Sequence, residues 1–210
     1  MNETYDEDYF ENGVIFQKSG YQNFRWIPEL TIPMCARLSE KLAIKDEDTI
    51  LDFGCAKGYV VKGFRLIGKQ AWGFDVSNYA INNCDRDVAQ YVSTELTLQN
   101  NIKYDWIIAK DVLEHISYNE IDNLLNKIYN SCNKLFCCLP LGINDKYVIE
   151  SYELDITHVI RKPLDWWGNK FKDNGFAVEY SGYSFDILKS NYSSFKNGNG
   201  FFILNTLKGN

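Results

Sequence analysis

The chain has 210 residues, 45% hydrophobic and 24% charged, a globular balance that excludes a disordered or collagen-like polymer. Its 28 acidic and 22 basic residues leave a net charge of −6, so coating of nucleic acid by bulk positive charge is not expected. No apolar run reaches the ~18 residues that a membrane span needs.

The opening MNETYDEDYFENG is acidic and polar, unlike a secretory signal, and a cytoplasmic protein is expected. Residues 1–28 read as a loop-rich aromatic arm, with a helix possible in part. Leu30, Ile32, Cys35, Leu38 and Leu42 recur near helical spacing and predict a helix over 28–42. Thr49–Phe53 (TILDF) is a short apolar run typical of a strand buried on both faces. Residues 54–58 form a tight turn, and 59–67 a helix that closes at Gly68. A second strand is predicted over 71–75 (AWGFD), then Ser77 as the N-cap of a helix to about 86. A weak third strand lies at 89–92 and a stronger fourth at 104–109 (YDWIIA). Ser117 and Glu120 have capping-box spacing before a helix to about 132, with Ile121, Leu124, Leu125 and Ile128 on one face. A fifth strand is expected at 134–139 (KLFCCL). Residues 140–162 show no clear pattern. Pro163 suits the first turn of a helix ending at Asn174-Gly175. Segments 177–185 and 200–207 are β-rich, have no helix between them, and predict an antiparallel hairpin at one edge. The polar stretch 189–199 reads as its solvated loop. Alternating strands and helices predict a Rossmann-like, doubly wound α/β fold with a seven-stranded, mostly parallel sheet.

A single domain is expected over 1–210. The arm and first helix occupy 1–45, a ligand-binding core 46–139, a substrate-side insertion 140–162, and a terminal helix and hairpin 163–210. The six cysteines form no CxxC pair and read as reduced thiols; no Cys or His spacing suits zinc, and no metal site is expected.

In open α/β sheets ligands bind beyond the carboxyl ends of the strands. The first strand runs into Asp52-Phe53-Gly54-Cys55-Ala56-Lys57-Gly58. This GxxxG bend, with an acid two residues before it, is not the GxGxxG turn that cradles a pyrophosphate. An acid there suits a ligand carrying an ammonium or sulfonium cation. Asp75 ends the second strand about 20 positions on, the interval at which a carboxylate reaches ribose hydroxyls.

Leu51-Asp52-Phe53-Gly54-Cys55-Ala56-Lys57-Gly58, then Gly73-Phe74-Asp75-Val76-Ser77, then Lys110-Asp111-Val112-Leu113-Glu114-His115-Ile116 after YDWIIA, resemble the class I S-adenosylmethionine-dependent methyltransferases. The likeness runs from about residue 5 to the end. It implies S-adenosyl-L-methionine as cofactor, with Gly54, Cys55 and Gly58 approaching its methionine part and Asp75 taking both ribose hydroxyls. It further implies that Asp52, Ala56 and Val76 flank the cofactor, and that Lys110, Asp111 and Val112 line it from the fourth strand. The family often has glycine at the position of Ala56. It often carries an acid after the third strand for the adenine amino group; here Ser93, Thr94 or a backbone carbonyl is left for that bond.

The remaining candidates carry two readings each. Asp75 binds ribose or caps the next helix; Asp52 orients the cofactor or fixes the turn. His158, in an acid-x-Thr-His element (DITH), takes a proton from an attacking hydroxyl or tethers its loop. His115 touches substrate or anchors a helix start. Arg25 grips the cofactor carboxylate, with arm aromatics closing over the site, or the arm packs on the sheet edge. Lys57, Lys62, Arg65 and Lys69 form a solvated helix face or a basic patch. Trp166 and Trp167 read as packing residues. The expected activity is O-methylation of a sugar, glycan or other small-molecule acceptor, with the pocket formed by the arm and 140–162. The alternatives are a protein or RNA methyltransferase, a non-catalytic S-adenosylmethionine-binding protein and, disfavoured by the turn, a nicotinamide dehydrogenase. Oligomeric state is not legible.

Overall fold

The computed structural model describes residues 4–95 and 103–206. They fall into two compact units. The first comprises the described residues of Met1–Leu96 with Leu154–Ile156, and the second those of Thr97–Glu153 with Thr157–Asn210.

In the first unit the elements follow as α1 (Glu7–Glu11), α2 (Pro28–Lys41), β1 (Thr49–Phe53), α3 (Tyr59–Leu66), β2 (Gln70–Phe74), α4 (Asn78–Asn82) and β3 (Val92–Ser93). The strands run parallel in the order β3-β2-β1, with Asp52 opposite Gly73 and Gly73 opposite Val92. Val61 and Phe64 of α3 are fully buried. Gly73 is needed for this packing, since a Cβ there would lie 2.7 Å from the Cys55 sulfur and 2.9 Å from Val61. Two expectations shift. The third strand shrinks to two residues behind a 3-10 turn at Ala89–Tyr91. Helix α4 stops at Asn82 rather than near 86, because Asn83 leads into Asp85, whose carboxylate binds the Asp87 amide (3.0 Å) and Lys62 (2.7 Å) instead of supporting another turn.

The second unit holds β4 (Tyr104–Lys110), α5 (Ile121–Ser131), β5 (Cys132–Pro140), β6 (Gly142–Ile143), β7 (Lys146–Tyr147), α6 (Leu164–Asp173), β8 (Phe176–Gly182) and β9 (Asn199–Thr206). Its strands follow the order β4-β5-β9-β8. The pair β4–β5 is parallel; β9 lies antiparallel to both β5 and β8, and β8 forms the edge. Leu135, Phe136, Cys137, Cys138 and Leu139 are all fully buried, as a strand covered on both faces requires. Ile121, Leu125 and Ile128 bury one face of α5, and Trp167 and Phe171 one face of α6, with Phe171 edge-on to Phe202. The small β6–β7 ladder and a 3-10 turn at Glu150–Leu154 occupy the segment without sequence pattern.

The seven strands, three parallel in one unit and a parallel pair followed by an antiparallel pair in the other, realise the expected Rossmann-like, mostly parallel α/β fold. The capping box does not form. The Ser117 hydroxyl donates to the Glu120 carboxylate (2.6 Å) instead of accepting a backbone amide, and α5 starts only at Ile121. The six cysteines are free thiols. Among the described residues no helix is long and apolar enough to cross a membrane.

Candidate active site

In the first unit β1 ends in a bend whose backbone turns left-handed three times, at Gly54 (φ 80°), Ala56 (φ 48°) and Gly58 (φ 75°). Glycine adopts this region freely, whereas Ala56 holds it against its own Cβ. At Gly58 a Cβ would also press on Val88 and Val92, each 3.1 Å away. The bend is closed onto β2 by Gly54 and Cys55, whose amides both donate to the Phe74 carbonyl (2.8 and 2.9 Å).

Asp75, just past β2, lies against this bend and is 9% exposed. One carboxylate oxygen accepts the Ala56 amide (2.7 Å) and the other the Ser77 amide (2.8 Å). Each oxygen keeps a lone pair, so the carboxylate can still accept two hydroxyls. Burial raises its pKa above the ordinary carboxylate value, partly offset by the two amides. Ser77 caps α4 through the Ala80 amide (3.0 Å), as expected, and donates to the Tyr5 carbonyl (2.6 Å). Asp52 is buried on β1, and its charge helps raise the Cys55 thiol, which burial already pushes well above the usual range. Val76 is exposed.

The arm packs on the bend and on α4. Tyr9, Phe10 and Ala80 form a small core, covered by Tyr5, Phe24, Ala56 and Tyr79. Buried Lys57 ion-pairs with Glu11 and donates to the Phe24 carbonyl (3.1 Å). The Tyr9 hydroxyl donates to Asp155 (2.6 Å). Arg25 on the same arm is exposed and has no side-chain partner among the described residues. The supposed solvated basic face is a correction: Lys62 pairs with Asp85 and Asp87, Lys69 with Asp46, and Arg65 lies over the Tyr91 ring while donating to the Ala71 carbonyl. These side chains are spent on acids and aromatics that a short-range reading of one helix does not reveal.

In the second unit two histidines meet. The rings of His115 and His158 lie edge to face with centroids 4.6 Å apart. His158 Nδ1 is 2.8 Å from the Tyr152 carbonyl, which only accepts, so Nδ1 carries the hydrogen and the neutral ring's lone pair sits at Nε2. His115 Nδ1 is 2.7 Å from the Thr157 hydroxyl. Beneath them Glu114 is completely buried. Its two carboxylate oxygens have no hydrogen-bond partner, and the nearer one is 3.9 Å from His158 Nε2. Burial, reinforced by the charge of Asp111, raises Glu114 well above the ordinary carboxylate range. The Glu114 carbonyl accepts the Val159 and Ile160 amides (2.8 and 2.9 Å), which fixes the His158 segment to it. Nδ1 of His158 thus tethers its loop, and Nε2 faces the Glu114 carboxylate.

Asp111 follows β4 with a left-handed backbone (φ 57°) and is clasped by Lys110 (2.7 Å) and Lys189. Burial would raise its carboxyl, but the two ammonium groups outweigh this and hold it well below the usual range. Lys189 also donates to the Tyr152 hydroxyl (2.8 Å) and the Asn199 side chain (3.0 Å). Val112 is half-buried. The expected loop at 189–199 is largely exposed, but its ends are not solvated: the Lys189 side chain, 78 positions from Asp111, is 8% exposed and Asn199 is buried, both in one polar network. Trp167 is core, whereas Trp166 is half-buried and edge-on to Tyr118. Local sequence pattern did not single out Glu11, Glu114, Tyr152 or Lys189. Of these, only Glu114 stands next to a candidate residue, His115, and that adjacency is the one signal the sequence offers.

The profile of a family described as "Methyltransferase domain" matches residues 25–181, about three quarters of the chain. No curated protein matches it by sequence. Among solved structures, an S-adenosylmethionine-dependent methyltransferase from Archaeoglobus fulgidus superposes with a TM-score of 0.64 at 15% identity, covering 86% of this chain and 95% of the other. A chain from the complex of the Haloferax volcanii Trm112 methyltransferase activator with a putative methyltransferase gives 0.61 at 14%, covering 85% and 92%. Magnesium protoporphyrin IX methyltransferase from Synechocystis PCC 6803, with bound S-adenosylhomocysteine, gives 0.61 at 16%, covering 85% and 83%.

Proposed function

The chain belongs to the S-adenosylmethionine-dependent methyltransferase family, and on that premise we propose that it transfers the methyl group of this cofactor to a hydroxyl of a sugar, glycan or other small molecule. The observation that carries cofactor binding is Asp75. Its carboxylate is held by the Ala56 and Ser77 amides at the mouth of the bend and retains one lone pair on each oxygen, a donor set that fits a vicinal diol. When bound, S-adenosylmethionine supplies a methyl group on a sulfonium, a leaving group already activated by its charge. The residues of the first unit then have to bind, orient and exclude water. Gly54, Cys55 and Gly58 offer backbone to the methionine part, and Lys57 with Glu11 holds the aromatic arm onto the bend. Exposed Arg25 is free to grip a carboxylate.

In the second unit His158 takes the acceptor's hydroxyl proton at Nε2 while Nδ1 stays bonded to the Tyr152 carbonyl. The edge-on ring of His115 fixes its plane. A small acceptor is favoured over RNA by the net charge of −6 and by the pairing of Lys57, Lys62 and Lys69 with acids.

Calorimetric titration with S-adenosylmethionine, S-adenosylhomocysteine and NAD tests the reading. The first two bind and NAD does not. Asp75→Ala weakens binding 10- to 100-fold, roughly what hydrogen bonds to a charged group contribute. Unchanged affinity in that variant removes Asp75 from the ribose. His158→Ala lowers transfer to hydroxyl acceptors and leaves cofactor affinity intact; undiminished transfer removes it as the base.

A further inference from the structure

Glu114 has no role in the reaction just described, and a fully buried carboxylate with no hydrogen bond to either oxygen needs an explanation. Three donor atoms, one each from Glu114, His115 and His158, lie within 4.8 Å of one another. We propose that Glu114, His115 and His158 form a binding site for a zinc-class divalent cation, and that its occupancy withholds His158 from proton transfer.

The donor set of two imidazole nitrogens and one carboxylate oxygen suits zinc and its transition-metal neighbours and not magnesium or calcium, which prefer all-oxygen shells. Bonds of ~2.1 Å in a tetrahedral site hold ligand atoms about 3.4 Å apart. The 3.9 Å between Glu114 and His158 Nε2 therefore closes by roughly half an ångström, within side-chain adjustment. The supports that metal-bound histidines use are in place. The Tyr152 carbonyl takes the Nδ1 hydrogen of His158 and points its Nε2 lone pair at Glu114, and the Thr157 hydroxyl fixes His115. The Val159 and Ile160 amides on the Glu114 carbonyl lock the two ligand-bearing segments to each other. Three protein ligands leave a fourth position for water. On binding, Glu114 coordinates as the carboxylate, any proton it carries passing to solvent, and the Nε2 lone pair goes to the cation.

The site itself is independent of the methyltransferase reading; only its effect on turnover rests on it. The probes are Zn2+ and Co2+. Zinc is titrated into the full chain against a chromophoric chelator, and one equivalent is expected to bind. Glu114→Gln, an isosteric change, and His115→Ala, at a half-buried position, each weaken it at least tenfold, with folding checked by circular dichroism. Cobalt should give the visible absorption of a four- or five-coordinate nitrogen-ligated ion, lost in Glu114→Gln. No zinc binding, or equal binding in both variants, overturns the site. In the transfer assay stoichiometric zinc lowers turnover and a chelator restores it; turnover indifferent to bound zinc overturns the link to His158. A chain that binds zinc through these residues but neither binds S-adenosylmethionine nor transfers methyl keeps the site and fails the preceding reading alone.

Discussion

Ala56 keeps a methyl group in a left-handed backbone because the amide it turns inward is the one Asp75 accepts. A non-glycine residue there costs about 1 kcal/mol, so Ala56→Gly should raise stability by somewhat less than that, glycine's extra freedom in the unfolded chain taking part of the gain. A lower denaturation midpoint in urea would contradict the strain. Glu114 carries the clearest pH dependence. Burial holds its folded carboxyl well above the ordinary glutamate value of 4.5, so between the two values the folded chain keeps a proton that the unfolded chain releases. Its contribution is therefore favourable below about 4.5 and is lost as pH rises through the folded value. Glu114→Gln cannot ionise. It should flatten the pH dependence of the urea midpoint above pH 4.5 and be at least as stable as the parent at pH 7; parallel profiles for the two proteins would refute this. The opposite sign holds at Asp111, whose depressed carboxyl stabilises above its ordinary value and ceases to do so as pH falls. Removing its deeper partner by Lys189→Met should cost about 3 kcal/mol, the lower end for breaking a buried pair because Lys110 remains. Adding Asp111→Asn should cost less than the sum of the two single changes, and strict additivity would deny the pairing.

At the scale of elements, capping geometry separates two helices that look alike on paper. Ser77 caps α4 directly, and Ser77→Ala should cost about 1 kcal/mol. Ser117 spends its hydroxyl on the Glu120 carboxylate, so Ser117→Ala should cost less than about 0.5 kcal/mol. Thermal melts that rank these two substitutions the other way would show a capping box at α5 after all. The same contrast shows what a linear pattern can carry. TILDF and YDWIIA were legible because a strand covered on both faces must be apolar throughout, and the bend after β1 was legible because glycine marks left-handed backbone. Lys189 was not legible. The stretch from 189 to 199 is polar, and the charge that buries Lys189 stands 78 positions away on the residue after β4. The basic face of α3 misled for the same reason, since Asp46, Asp85 and Asp87 lie in other segments. Around β6 and β7 there was no pattern to read, because a two-residue strand is shorter than any periodicity. Of the candidate site, the bend, Asp75 and the two histidines could be named from sequence, whereas Glu114 could not, since nothing local says that a glutamate beside a histidine is buried without a partner.

For the molecule as a whole, the relatives share 14–16% of residues yet superpose over most of the chain, so the fold is common property and the acceptor is set by side chains. If the acceptor is the proposed small hydroxyl compound, the net charge of −6 and the pairing of Lys57, Lys62 and Lys69 with acids predict a weak dependence of methyl transfer on ionic strength. A steep loss of activity with salt, and transfer to RNA, would contradict that. The most direct test of the central claim is a crystal of the protein soaked in S-adenosylhomocysteine. The ligand is expected in the bend after β1, with both ribose hydroxyls about 2.7 Å from the Asp75 carboxylate. A saturating soak that leaves the bend vacant, or that seats the ribose away from Asp75, would contradict it.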